Sequence, residues 1–386
     1  MTLPILYEGS VKNVRGIPGQ SPYIFEYSDR YSVFDWGVMP DQLPGKGQSL
    51  AFMSWLLFHQ LGDQAFWDNW NSPVAFGQHP LLKRWREKGV NHHSLGLVNE
   101  EGQSLGLGQL SNFLAVEPVK ILRPSAQERQ GQLSWDYSAY QDRPVGCLVP
   151  LEVVFRFAIT PGSSLLERVE QADYYSHLGL GQTVKVGDRF KNPIIEFSSK
   201  LESTDRYMSY PEVAAKAGLS SKEFLELKDT ATLLALRLKD SIGELGVDLL
   251  DGKFEFAFAV QKNSRERTFT LVDAIGPDEL RLSYKGVQLS KENLRIYYRR
   301  TPWYDSLKKA KETALARGVK DWKKICKEEL KSFPDPLPAG QKYAISMIYQ
   351  TLSNALAEHS LDQKIFPEAL SLEKLAQILK EANLCE

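Results

Sequence analysis

Over the first 48 residues, short runs of alternating apolar and polar positions are broken by glycine and turn-forming residues. The runs ILYEGSVKNVRGI, SPYIFEYS and YSVFDWG predict a small antiparallel sheet. At 49–61 the spacing changes, and Leu50, Met53, Trp55, Leu56, Phe58 and Leu61 cover a broad helical face. Residues 62–145 are rich in Trp, Gly and Gln with little periodicity, which predicts irregular structure carrying short elements. GCLVPLEVVFRFA at 146–158 is almost continuously apolar and rich in β-branched residues, the pattern of a buried strand. Helical spacing returns over 211–246, where LSSKEFLELK resembles a capping box. LLDGKFEFAFAV and RTFTLVDAI, separated by the polar QKNSRE, predict a hairpin. Amphipathic helices follow over 303–332 and 341–380, split by the proline-rich FPDPLPAG.

Composition narrows the function classes. The chain of 386 residues is 42% hydrophobic and 25% charged, as an ordinary globular protein is, and its length suggests two or three subdomains. With 47 basic against 48 acidic residues there is no general basic surface for nucleic acid, so local clusters must do any anion binding. Cys147, Cys326 and Cys385 are far apart and form neither a disulfide framework nor a CxxC site, which suits a reducing cytoplasm. The amino terminus shows no signal peptide, and the longest apolar run, LAFMSWLLF, is short of the ~20 residues of a membrane span. A soluble cytoplasmic protein is expected.

Four constellations carry charge in patterns suited to chemistry. In LLDGKFEFAF, Asp251, Lys253 and Glu255 alternate with apolar residues and project from one strand face. Asp273 ends the partner strand, so the three carboxylates are placed to converge on one divalent cation; the alternative is a solvated charged stripe. LYEGSVKNVR sets Gly9, Ser10 and Lys12 between two β-segments, as a phosphate loop or as a plain turn with an exposed lysine. Arg156 sits within an apolar strand and needs an anionic partner, for which Glu152 on the same face is the internal choice. The TPGSS that follows offers hydroxyl and amide groups suited to phosphate or carboxylate. Lys291 and Arg295 are spaced to share a helical face. No HExxH or paired-cysteine pattern occurs, and the three cysteines lack a nearby candidate base, which argues against zinc and a cysteine nucleophile.

In order along the chain, YEGSVKNVR, YSDRYSVFDWGVMPDQLPGKGQSL, LVPLEVVFRFAITPGSS, FSSKLESTD, LLDGKFEFAF, LVDAIGPDELR and LSKENLR resemble the SAICAR synthetases, the phosphoribosylaminoimidazole-succinocarboxamide synthases of purine biosynthesis. The resemblance implies an α+β fold with two sheet-containing subdomains around an ATP cleft and helices at the carboxyl end. The corresponding division is 1–145, 146–302 and 303–386. It implies a C–N ligase using ATP and Mg²⁺ to join L-aspartate to an imidazole ribonucleotide carboxylate. A ligase of the same fold with another carboxylate or amine, or a non-catalytic nucleotide-binding protein, are the alternatives. Small molecules are the implied partners, with a homo-oligomer open and neither nucleic acid nor membrane.

Carried over by residue, Gly9, Ser10 and Lys12 match the family's phosphate loop, and Lys253, Glu255 and Asp273 its nucleotide strands. Asp251, Glu255 and Asp273 are then the metal ligands, and Lys253, Asp251, Asp35 and Lys46 the catalytic set. Ser32, with Asp35 and Lys46, belongs to an early active-site loop, and Lys200 and Asp205 to a mid-chain turn. Arg156, Ser163 and Ser164 correspond to the segment that handles the ribonucleotide phosphate and acidic substrates. Arg281, Lys291 and Arg295 correspond to late residues that bind the anionic substrate. Three positions depart from the pattern: Ser10 stands where a lysine is common, Ala274 where a glutamate is, and Pro161 interrupts Thr-Gly-Ser.

Overall fold

The computed structural model describes residues 3–129, 132–168, 174, 177–180, 183–202, 205–260, 266–319 and 321–385. The chain divides into two compact units. One comprises residues 1–53, 95–116 and 281–386, the other 54–94 and 117–280.

The first unit is built on a five-stranded sheet. Its strands are β1 (Ile5–Glu8), β2 (Lys12–Arg15), β3 (Tyr23–Tyr27), β4 (Ser94–Val98) and β5 (Phe113–Val116), in the order β1-β2-β3-β5-β4. Two strands of this sheet therefore come from the stretch expected to be irregular. YSVFDWG, expected as a strand, is a loop instead, with Phe34 and Asp35 both left-handed at φ 54° and 63°. The loop is organised by Asp29, whose carboxylate accepts from the Gly45 and Gly47 amides at 3.2 and 2.8 Å. That cap satisfies orphan donors at the start of helix Lys46–Gly62, which begins earlier than the apolar spacing alone suggested. The carboxyl-terminal helices include Glu292–Tyr298, Pro302–Arg317, Ala339–Leu361 and Leu372–Glu381, with a further helical segment over Trp322–Lys324 and Ile325–Glu329. Gly318 and Asp362, both left-handed, end two of them, so each long amphipathic stretch is interrupted before helix resumes at Trp322 and Leu372.

The second unit holds a hairpin, β6 (Ser125–Arg129) and β7 (Gln132–Asp136), and a larger antiparallel sheet. In that sheet β8 (Leu151–Ala158) lies between β9 (Arg189–Ser199) and β10 (Val247–Val260), and the later half of β10 pairs with β11 (Arg267–Val272). The expected hairpin is present, although its connecting QKNSRE lies outside the described residues up to Glu266. Alternation decides the sheet's two faces. Val153, Phe155, Phe197, Phe254 and Phe256 point one way and are buried, with Phe155 and Phe254 stacked at 4.8 Å. Helix Ser221–Gly243 presents buried Leu227, Leu233, Leu234 and Leu238 to this unit's core. Each such side chain contributes about 1.5–3 kcal/mol by leaving water. The capping box at its start is formed by Ser220 and Glu223, as the sequence suggested. The fold is α+β, as the resemblance implies, and no described helix is long and apolar enough to cross a membrane.

Candidate active site

The opposite face of the second unit's sheet is charged. Register sets Arg156 against Asp251 and Ile194, and Val154 against Lys253 and Glu196, so Glu152, Arg156, Glu196, Asp251, Lys253 and Glu255 share one surface. Near its middle two lysines and two glutamates form a closed set. Lys253 Nζ donates to Glu152 Oε1 at 2.7 Å and to Glu255 Oε1 at 2.9 Å. Lys200 Nζ donates to the same two oxygens at 3.4 and 2.5 Å. Asp273, just past the end of β11, hydrogen-bonds Glu255 through its side chain.

The charges tune one another. Burial disfavours the ammonium of Lys253, but Glu255 and Glu152 outweigh it and hold its pKa well above the usual value. Lys200 is raised by the same balance, burial against Glu255. Burial alone would neutralise Glu152, yet Lys253 and Lys200 keep it below the ordinary carboxylate range. Glu255 moves the other way, raised first by burial and then by the neighbouring Asp273. Two carboxylates held together at this cost are suited to a hard cation, which removes their repulsion.

A second cluster surrounds Glu196, which is fully buried. Its carboxylate accepts from Arg156 Nε at 2.5 Å, Arg168 Nη2 at 2.6 Å and the Tyr174 hydroxyl at 2.8 Å. Arg156 also donates to Ser164 Oγ at 3.2 Å and the Tyr207 hydroxyl at 3.1 Å. Arg168 lies over the Tyr207 ring, 3.4 Å from its centroid. Two donors here, Ser163 Oγ and Arg168 Nε, are buried without a hydrogen-bond partner among the described residues. A pair of guanidiniums with spare donors beside hydroxyl groups is an arrangement for a multiply charged anion.

The expectations fare unevenly in detail. Arg156 does not pair with Glu152, because Glu152 is turned to the two lysines; its partner is Glu196 from the neighbouring strand. Of the three carboxylates expected to converge, Glu255 and Asp273 meet, whereas Asp251 lies 3.9 Å from Arg156. Two positions along an extended strand separate side chains by about 7 Å, so Asp251 and Glu255, four apart, do not share a small ion. Among the described residues no group of three or more His, Cys, Asp or Glu is arranged as a metal site. Ser164 joins the Arg156 cluster and Lys200 the lysine–glutamate set, while Ser163, the chain neighbour of Ser164, is buried. Asp205 is exposed, and residues 203 and 204 are outside the described residues.

In the first unit, Gly9 and Ser10 form the tight turn between β1 and β2. A side chain at Gly9 would come within 2.5 Å of the Lys12 carbonyl, so only glycine fits. Lys12 Nζ stands 4.2 Å from the Phe25 ring centroid. Ser32, Asp35 and Lys46 do not share one environment: Ser32 is half-buried, Asp35 is exposed 3.6 Å from Lys311, and Lys46 is fully buried beside the Tyr349 ring. Arg281 and Arg295 gather with Arg299 around the buried Glu292, at 3.6, 2.8 and 2.8 Å. Lys291 is the residue that precedes that helix.

An open cavity of about 560 Å³ lies in the second unit, lined by His93, Glu117, Val119, Ala257, Ala259 and Thr270 among others. Ala257 and Ala259 continue the strand face of Lys253 and Glu255 with side chains too small to fill it. Glu117, Glu196, Arg168, Tyr174, Tyr207 and His93 belong to this region and to none of the sequence motifs. For Glu196 there was a signal, a lone carboxylate in the apolar run PIIEFSS, which demands a buried cation. For the others the signal is tertiary.

Comparison with known proteins gives the same direction throughout. The family model of SAICAR synthetase matches residues 5–76 and 145–310. A provisionally named phosphoribosylaminoimidazole-succinocarboxamide synthase of Archaeoglobus fulgidus is 33% identical over 379 residues, 97% of this chain and 99% of its own. The phosphoribosylaminoimidazole-succinocarboxamide synthase of Thermoplasma acidophilum is 25% identical over 361 residues, 91% of this chain and 97% of its own. In fold, the chain is similar to a SAICAR synthase from Saccharomyces cerevisiae solved with SAICAR, with a TM-score of 0.53 at 21% identity, covering 92% of this chain and 94% of that one.

Proposed function

The chain belongs to the SAICAR synthetase family, and from that premise we propose that it is the ATP-dependent ligase joining L-aspartate to 5-amino-1-(5-phosphoribosyl)imidazole-4-carboxylate. The products are SAICAR, ADP and phosphate. The observation that carries the reading is the half-buried set of Lys200, Lys253 and Glu152 around the buried Glu255, with Asp273 against it.

A carboxylate is a poor electrophile, so the reaction needs a leaving group on it. A carboxylate oxygen attacks the γ-phosphorus of ATP, ADP departs, and an acyl phosphate results. The aspartate amine then attacks the acyl carbon, phosphate leaves with the C–O bond pair, and the amine loses a proton. Negative charge gathers on the transferring phosphoryl group in the first step, and positioning plus electrostatics are what the protein supplies. Lys253 and Lys200 are the cations for that task, held charged by Glu152 and Glu255.

Glu255 and Asp273 fit Mg²⁺, which takes one or two carboxylates with phosphate oxygens and water. When bound there, the ion neutralises phosphate charge during transfer. Asp251 acts instead through Arg156. The ATP base and ribose occupy the cavity over Ala257 and Ala259, whose volume suits a group of that size. Arg156, Arg168, Ser163 and Ser164 take the ribonucleotide phosphate, for which their spare donors are appropriate. Gly9, Ser10 and Lys12 are assigned to the nucleotide phosphates, and Ser32, Asp35, Lys46, Asp205, Arg281, Lys291 and Arg295 to the acidic substrates, by family correspondence. A reducing cytoplasm is the compartment that fits these soluble substrates.

Phosphate release by the purified protein tests the reading. It is expected only when ATP, the imidazole carboxylate and aspartate are all present. Release at an undiminished rate without aspartate overturns the assignment.

A further inference from the structure

The turn that carries Asp273 has an uncommon shape, and two buried side chains from distant parts of the chain hold it. Asp273 has φ 69°, in the left-handed region that residues with a Cβ rarely enter. Such a conformation persists only where the surroundings over-determine it, and it concentrates at functional sites.

On one side of Ala274, His93 Nε2 lies 3.0 Å from the Asp273 carbonyl oxygen. A carbonyl only accepts, so Nε2 is the donor. His93 is itself fixed. It is 3% exposed, and its ring meets Phe58 edge-on with centroids 5.4 Å apart. Its amide donates to the Leu271 carbonyl at 3.1 Å, and its carbonyl accepts from the Glu117 amide at 2.7 Å. On the other side, Ser54 Oγ accepts from the Ile275 amide at 3.2 Å and donates to the Ile275 carbonyl at 3.3 Å. Ser54 is buried in helix Lys46–Gly62. The two side chains grip backbone on either side of a single residue.

We propose that His93 and Ser54 are positioning residues that lock Asp273 in its left-handed conformation, so that its carboxylate meets Glu255 and completes the divalent-cation site. The inference rests on the reading of Glu255 and Asp273 as cation ligands. Relaxing Asp273 to an ordinary negative φ swings its Cβ to the other side of the chain, which separates the two carboxylates. Ala274 offers no carboxylate of its own. With no second carboxylate beside Asp273, the geometry of this one decides whether the pair forms.

The test is calorimetric titration of ADP with and without Mg²⁺, which reads the cation site without turnover. His93→Phe keeps a ring against Phe58 and removes the donor, His93→Gln keeps a donor, and Ser54→Ala releases the other side. The parent protein is expected to bind ADP more tightly with Mg²⁺, and Asp273→Asn to abolish that gain. Ser54→Ala is expected to cut the gain at least tenfold while leaving Mg²⁺-free ADP affinity within twofold, His93→Phe to cut the gain by a similar factor, and His93→Gln to restore it. A simple loss of folding would weaken both affinities together. If His93→Phe does not fold by circular dichroism, Ser54→Ala carries the same expectation. Loss of the gain in Asp273→Asn but not in His93→Phe or Ser54→Ala overturns the positioning role. Retention of the gain in Asp273→Asn overturns the underlying ligand assignment instead.

Discussion

Lys253 on β10 reaches across the sheet to Glu152 on β8, Nζ to Oε1 at 2.7 Å, and the same ammonium serves Glu255 two residues along its own strand. The lysine is thus fixed in place before any substrate arrives. Replacing Lys253 by Met keeps the stem and removes the cation. Loss of one such preorganised charge is expected to lower kcat by about 10²–10³-fold. The KM for the imidazole ribonucleotide should change by no more than about threefold, because Lys253 is assigned to bonds made only in the transition state. Lys200 still contacts both glutamates, so the stability loss should fall below the about 3–5 kcal/mol of an uncompensated buried charge. Steady-state kinetics with a urea titration separate the two effects. Unchanged kcat would remove Lys253 from the mechanism.

Arg156 predicts the opposite split. Its guanidinium serves Glu196, Ser164 and Tyr207 at once, which an ammonium does not reproduce. Arg156→Lys is expected to raise the KM for the ribonucleotide by about 10–100-fold, the effect of losing about 1.4–2.8 kcal/mol of binding. The KM for ATP should hardly move. A rise confined to the ATP KM would transfer Arg156 to the nucleotide.

The contrast between these two residues marks what the chain made legible. Strand alternation placed Asp251, Lys253 and Glu255 on one face, because a period of two needs no tertiary information. It did not say that Asp251 answers Arg156 while Glu255 answers Asp273, since cross-strand register decides that. Glu152 and Arg156 share a strand face, yet each found a stronger partner on a neighbouring strand, where the reach is shorter. YSVFDWG reads as a strand by composition, but the Asp29 cap on Gly45 and Gly47 folds it into a loop. Phe113–Val116 lies among glycines and glutamines and becomes a strand through its pairing between β3 and β4. The family pattern supplied residue roles that physical reading of one sequence could not, and it said nothing of His93 or Ser54.

Gly252 tests the packing beneath the charged face. A Cβ there would come within 2.6 Å of Phe155 Cζ and 2.8 Å of Leu280 Cδ2. Phe155 has no exposure and is stacked on Phe254, so it has nowhere to retreat. Gly252→Ala is therefore expected to destabilise the protein by about 1–3 kcal/mol through overpacking, although alanine has the better strand propensity. Denaturant midpoints read this directly. A neutral or stabilising result would mean that the two aromatic rings are not held as tightly as their stacking implies.

Acid stability depends on Glu223, which closes the capping box of helix Ser221–Gly243 and binds Arg267 Nε at 2.8 Å. Burial favours its neutral form, but the Arg267 hydrogen bond and the Ser220 amide outweigh burial and bring its pKa down to about 2 from an ordinary 4.5. A carboxyl depressed on folding binds its proton more readily in the unfolded chain. Its contribution is therefore complete above pH 4.5 and is lost as the pH falls from there towards 2. Glu223→Gln should unfold at lower urea at pH 7 and approach the parent as the pH drops through that window. Arg143, half-exposed, adds a further contact to the same carboxylate that salt weakens. The Arg267 pairing is buried and resists salt, so the difference between parent and variant should survive in 0.5 M NaCl. Midpoints measured across this pH range check both signs, and a constant difference down to pH 2 would assign the stabilisation to hydrogen bonding that glutamine preserves poorly, and not to charge.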